Sequence, residues 1–174
     1  MKKSKIGLLI CVIGLVVAGG VLGFVYMGQL EKTEALPMQT ILVNTAIAQE
    51  KYYAAHQTYT TEWKTILPQI ALPTGRNTLV TAVAGKPEQY LFSFSDNPKD
   101  GYLVSLQVNA DGQRGIITAV RQGSRWYHYR LERAFPEGET QCLAGKMNQK
   151  FCHDFWQATQ PLEVKNLVPV QNKP

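Results

Sequence analysis

The stretch Tyr90-Leu91-Phe92-Ser93-Phe94-Ser95-Asp96-Asn97-Pro98-Lys99-Asp100-Gly101-Tyr102-Leu103-Val104-Ser105-Leu106-Gln107-Val108-Asn109-Ala110-Asp111-Gly112 decides the fold. Tyr90, Phe92 and Phe94 alternate with Leu91, Ser93 and Ser95, and side chains two apart on a strand share a face. The turn residues Asp96-Asn97-Pro98-Lys99-Asp100-Gly101 end that run, and a second alternating run covers residues 102–108. Asp111-Gly112 is a strong hairpin signal, because glycine readily adopts the positive φ of a tight turn. Two further runs, 115–120 and 126–131, are joined through Gln122-Gly123-Ser124. Strands with such short connections cannot be parallel, since a parallel pair needs a long crossover. The expected core is a meander of about four antiparallel strands.

Upstream, residues 76–87 read as an irregular connection with one strand at 78–83. Before it come a short helix at 64–70 and the turn Leu72-Pro73-Thr74-Gly75. Across residues 38–55 the spacing becomes helical. Ile41, Leu42, Thr45, Ala48 and Tyr52 mark one stripe, and Gln39, Asn44, Gln49 and Glu50 lie largely off it. Charge is sparse on this helix, so it is expected to lie across the sheet, which makes the fold class α+β. Pro37 lacks an N–H and clashes with the preceding turn, so a bend or a break between two helices is expected at 33–37.

Farther upstream, residues 6–27 carry no charge. About 22 residues at ~1.5 Å rise reach roughly 33 Å, close to the hydrocarbon thickness of a bilayer. Lys2, Lys3 and Lys5 precede them and stay cytoplasmic by the positive-inside bias. Residues 1–5 are then cytoplasmic, 6–27 a single-pass transmembrane helix, 28–160 an exported domain and 161–174 an extended tail with three prolines. A cleaved signal peptide is the competing reading. Its apolar region is usually shorter and ends in a small-x-small site, whereas Val16-Val17-Ala18-Gly19-Gly20 lies mid-run. Cys11 follows Leu8-Leu9-Ile10 without the small residue of a lipoprotein site. An uncleaved anchor is the expectation, with some form of processing as the alternative.

Composition elsewhere is that of an ordinary globular protein, with 45% apolar and 18% charged residues. The net charge of +5 suits an anionic surface or nucleic acid, and equally plain solubility plus the N-terminal lysines. Cys11 sits in the anchor as a small apolar residue. Cys142 and Cys152 fall in the exported part, where a disulfide persists, so that pairing is expected over two thiols or a zinc site. Residues 135–155 read mostly as loop, with a short helix between Leu143 and Trp156.

An apolar anchor, an amphipathic continuation, a loop, an antiparallel meander and a late cysteine pair resemble, in that order, the type IV pilins and pseudopilins. The closest local match runs from Thr33-Glu34-Ala35-Leu36-Pro37-Met38 to Ala48-Gln49-Glu50-Lys51-Tyr52-Tyr53, followed by Thr58-Tyr59-Thr60. Cys142 and Cys152 resemble the pair that closes the C-terminal region of that family. The resemblance implies a structural subunit of a type IV pilus or type II secretion-type assembly. It would sit in the inner (cytoplasmic) membrane with its domain periplasmic or extracellular, in contact with lipid and other pilin-like subunits. The chain departs from the family at its start. Gly7-Leu8-Leu9-Ile10-Cys11-Val12 offers the glycine of a prepilin site, but no glutamate follows. That carboxylate would neutralise a neighbouring N-terminal amine inside an apolar bundle, where an unpaired charge is costly. Its absence points to a minor, tip or permanently anchored relative.

Three groups of residues are candidate sites. Gly19, Gly20 and Gly23 would permit close helix–helix approach in lipid, though glycine is common in membrane helices generally. Arg121, Arg125, Trp126, Tyr127, Tyr129 and Arg130, with Arg114 and Arg133 nearby, form an arginine–aromatic strand face. It would suit DNA or a glycan as the alternative function, a membrane-tethered binding module; the plainer reading is a solvated face with stems covering the sheet. His56, His128 and His153 have no nucleophile motif beside them, and Cys152-His153-Asp154 suggests a catalytic set by composition alone. Asp96, Asp100 and Asp111 lie in turns without EF-hand spacing. No enzyme, metal site or cofactor is expected.

Overall fold

The structure, a computed structural model, describes residues 2–75, 77–95, 100–124 and 126–154. Asp96, Arg125, Trp156 and the expected tail at 161–174 lie outside the described residues. The chain is α+β, with one long N-terminal helix and an antiparallel sheet of six strands. It divides into two units, Met1–Glu34 and Ala35–Pro174, with a boundary past residue 27.

Helix α1 (Lys2–His56) runs through Pro37, so of the bend or break expected at 33–37 the break does not occur. A proline costs the helix one N–H donor, and a hydrogen bond is worth about 1 kcal/mol net. Ala35, Met38, Ile41 and Leu42 around it are all fully buried. Burying one Leu, Ile or Met side chain contributes about 1.5–3 kcal/mol, so packing outweighs the lost bond. In its first unit the helix exposes the apolar side chains Leu15, Val17, Val21 and Leu22. Over Ile13–His56 it is long and apolar enough to cross a membrane. Its most apolar window has a mean hydropathy of 1.8, and none of that window is buried.

In the second unit, α2 (Trp63–Ile66) and a 3₁₀ turn (Leu67–Gln69) form the short helix expected at 64–70. The strands are β1 (Leu79–Ala82), β2 (Gln89–Ser93), β3 (Gly101–Val108), β4 (Gly115–Gln122), β5 (Tyr129–Phe135) and β6 (Thr140–Ala144). Each pairs with its sequence neighbour in the order β1-β2-β3-β4-β5-β6. The turn at Gly112 has the positive φ, 68°, that Asp-Gly implies. The sequence reading differs at three points. The strand expected at 78–83 joins the sheet as β1, the fourth meander strand starts at Tyr129 rather than Trp126, and β6 replaces part of the expected loop at 135–155. The polar run Glu137-Gly138-Glu139 hides the alternation that begins at Thr140, yet it is the hairpin connection itself. A 3₁₀ turn (Lys146–Asn148) and helical residues 149–154 follow.

One face of the sheet buries Tyr90, Phe92, Tyr102, Val104, Leu106, Ile117, Ala119, Leu131 and Phe135 in a core shared with Met38, Ile41, Leu42, Trp63 and Ile66. Helix residues 35–56 therefore pack on the sheet, as their stripe implied. The opposite face is defined by register. Leu91, Leu103, Val120, Arg130 and Leu143 stand directly opposite one another across five strands, and Gln89, Ser105, Thr118, Glu132 and Gln141 form the next row.

Candidate interaction surfaces

The arginine–aromatic cluster is not one surface. Alternation sends Tyr127 and Tyr129 into the core, at 6% and 4% exposure, where both rings pack on Phe151 at 5.1 and 4.8 Å. The Tyr129 and Tyr102 hydroxyls bond each other at 2.5 Å. Arg121 is also buried: its Nη1 donates to Asp100 Oδ1 (2.5 Å), the Gly101 carbonyl (3.2 Å) and the Gln122 carbonyl (2.7 Å). Its guanidinium lies over the Tyr102 ring, 5.3 Å from the centroid. Arg133 donates to Thr140 Oγ1 at 3.1 Å. Of the six residues assigned to the face, Trp126 and Arg130 are the described ones that are exposed, and Arg130 Nε holds Glu132 at 2.9 Å. The expectation of a continuous ligand face is corrected accordingly. Phosphate binding gains affinity from several exposed cations acting together, and Arg121 spends its charge inside the fold.

Cys142 and Cys152 are disulfide-bonded, with Cα atoms 5.2 Å apart. Cys152 therefore has no thiol to offer His153, whose Nδ1 lies 3.6 Å from Asp154 Oδ1. His56 stacks on Tyr52 with centroids 4.0 Å apart, and its Nδ1 lies 2.9 Å from the Tyr52 carbonyl. Asp111 Oδ1 accepts from the Gln113 N–H at 2.9 Å, which is turn chemistry. Among the described residues no cluster of three His, Cys, Asp or Glu could hold a metal ion. At Gly19, Gly20 and Gly23 an added Cβ would meet nothing within 4 Å, so the chain's own packing does not require glycine there.

Two features escaped the sequence reading. The first is a clamp where α1 gives way to the loop. The buried Gln49 side chain donates to the Thr60 carbonyl (2.7 Å) and accepts from the Thr60 N–H (3.1 Å), satisfying both backbone groups at once. The Tyr59 hydroxyl donates to Glu50 (2.8 Å), and its ring meets Tyr53 and Phe135. The Tyr53 hydroxyl in turn bonds Gln113 in the β3–β4 turn. This gives Gln49-Glu50 and Tyr53, residues quoted above for the family resemblance, a physical role: they lock the helix end to the sheet. Burial first, and then the Glu50 carboxylate, raise the Tyr59 phenol above its ordinary value of 10.0. Because the folded state holds this proton longer than the unfolded state, stability is complete below pH ~10 and falls as pH rises beyond it. Glu50→Gln is expected to return the Tyr59 titration only partway toward the ordinary value, because burial remains. An alkaline titration of tyrosinate absorbance on the full chain checks this; an unchanged curve would count against it.

The second feature is a surface of α1. Residues 35–49 include no charged residue. One side of this segment is buried on the sheet, while Leu36, Thr40 and Ile47 are exposed on the other, Leu36 at 36% and Ile47 at 45%. The exposed positions follow helical spacing and so form a stripe. A solvent-facing stripe of this length ordinarily carries charge.

No protein-family model, no curated protein and no solved structure matches the chain.

Proposed function

We propose that this chain is a membrane-anchored, pilin-like or pseudopilin-like structural subunit of a type IV pilus or type II secretion-type assembly, in a minor or tip role. Residues 6–27 hold it in the inner membrane with its N-terminus cytoplasmic, and the α+β unit is exported. The observation that carries the reading is the uncharged segment 35–49, buried on one side and exposing Leu36, Thr40 and Ile47 on the other. A monomer has no use for such a stripe, whereas an assembly built on parallel helices covers it with a neighbouring subunit. The continuity of α1 from the apolar start into the packed half supports the same reading. The open glycine positions at 19, 20 and 23 leave room for close helix approach in lipid. The missing prepilin glutamate favours a specialised position over bulk filament.

The test is photo-crosslinking from position 40 in native membranes, with and without Ile47→Lys. An unpaired lysine buried in a helix seam costs several kcal/mol, so the crosslinked yield is expected to fall at least about tenfold. Fold stability should change by no more than roughly 0.5 kcal/mol, as for other surface substitutions. Equal yields from the two chains would remove the stripe as a subunit contact.

A further inference from the structure

The two edges of the sheet are protected unequally. At one edge, β6 is flanked by residues 146–154, which the Cys142–Cys152 disulfide ties to it. At the other, β1 pairs with β2, and among the described residues no strand lies on its far side. Edge strands are ordinarily blunted by a charge, a proline or a covering segment, because their outer backbone groups invite another strand. Residues 77–85 contain neither a charge nor a proline. Leu79 is 48% exposed, and Thr81 and Ala82 are exposed beside it.

The direction of the backbone groups along β1 follows from one bond. The Val83 N–H donates to the Gln89 carbonyl at 3.1 Å. These two residues continue the β1–β2 register, in which Ala82 faces Tyr90 and Thr81 faces Leu91. Antiparallel neighbours alternate between pairs that exchange hydrogen bonds and pairs that do not. Leu79, Thr81 and Val83 therefore turn their backbone groups toward β2, while Val80 and Ala82 turn theirs outward. Pairing Val80 of one copy with Ala82 of another uses both outward sets at once. That register places Thr81 on a two-fold axis, opposite itself, and sets Leu79 opposite Val83.

We propose that β1 is a self-association edge, at which a second copy of this chain adds its own β1 antiparallel and joins two six-stranded sheets into one. Like charges directly opposite one another destabilise a strand pair, and an uncharged edge meets its own copy without that cost. Leu79, Thr81 and Val83 share one face of the strand. On that face the exposed Leu79 is covered by Val83 of the second copy, and threonine meets threonine, both favourable cross-strand pairs. The two-fold axis makes every contact twice and closes the association at two copies. This contact is separate from the exposed stripe of α1 and stands whether or not that stripe meets a neighbour.

The test is crosslinking of the full chain in detergent, with Cys11→Ser so that an introduced cysteine is the one free thiol. Thr81→Cys, oxidised with copper phenanthroline, is expected to run mainly as a covalent dimer on a non-reducing gel. The Cα atoms of such a pair lie about 4.5 Å apart, within disulfide reach. Leu79→Cys in the same background should crosslink at least about tenfold less, because the register holds its two copies about 13 Å apart along the strand. Adding Ala82→Pro to Thr81→Cys should lower the dimer by a similar factor. It removes an outward N–H and no bond to β2, and prolines are tolerated at sheet edges. Should Ala82→Pro also lower the urea midpoint, the comparison of positions 79 and 81 decides alone. Equal yields from those two positions would overturn the proposal, as would a folded Ala82→Pro chain that dimerises undiminished. Ile47→Lys is expected to leave the Thr81→Cys dimer intact; its loss there would assign the contact to the α1 stripe and overturn the edge.

Discussion

Asp100→Ala is expected to destabilise the folded unit by about 3–5 kcal/mol, the usual cost of stranding a buried charge. The Arg121 side chain is 4% exposed, while that of Asp100 is 32% exposed. Removing Asp100 leaves a guanidinium in the core that has lost its carboxylate, with two backbone carbonyls and the Tyr102 ring among its remaining partners. Those dipoles compensate only part of its charge. Arg121→Met is expected to cost less, because the Asp100 carboxylate already reaches water and rehydrates. The double variant should recover part of the Asp100→Ala loss, since it buries no charge. Urea unfolding of the full chain in detergent measures all three. A loss under about 1 kcal/mol for Asp100→Ala, or strict additivity in the double variant, would show that the pair is not coupled.

That pair also marks where the sequence stopped being readable. Hydrophobic alternation over Tyr90 to Phe94, the second run at 102–108 and the Asp111-Gly112 turn placed three strands and their connections, because period and turn chemistry are local properties. Register is also local here, since short hairpins leave little freedom in pairing. Whether an arginine points outward depends on what the rest of the fold places behind it. Arg121 falls on the core side of β4, beside Ile117 and Ala119, and survives there because Asp100 and the Gly101 carbonyl at the start of β3 and the Gln122 carbonyl of its own strand meet its guanidinium. Nothing in Val120-Arg121-Gln122 reports that. The alternation of Trp126, His128 and Arg130 was legible, and exposure follows it, but which of the two alternating sets faces water required the sheet. Likewise β6 was missed because its five residues follow the acidic turn residues Glu137 and Glu139 and only Thr140 among them is buried, so no apolar alternation marks the strand. Pro37 was read as a bend or a break: local chemistry favours ending a helix there, and the burial of its neighbours excludes the break.

Residues 142 and 152 close a loop with a sequence separation of 10, and in the chain-entropy model such a loop stabilises by about 3 kcal/mol. The bond joins β6 to the helical residues 149–154, and Phe151, between them, is 8% exposed and covers Tyr127 and Tyr129. Without it, the hydrophobic contact of one phenylalanine must hold the segment against its own chain entropy. Burial of that side chain contributes about 1.5–3 kcal/mol, while ordering the intervening residues costs about 1–2 kcal/mol each. The segment should then detach before the sheet unfolds. Cys142→Ser with Cys152→Ser, made together so that neither thiol can pair with Cys11, is expected to lower stability by about 2–5 kcal/mol. Hydrogen exchange should accelerate first in residues 140–154, with β3 and β4 protected until global unfolding. The wild-type chain in reductant should reproduce both changes. Equal exchange rates in residues 140–154 of the oxidised and reduced chains would show that Phe151 packs without the bond.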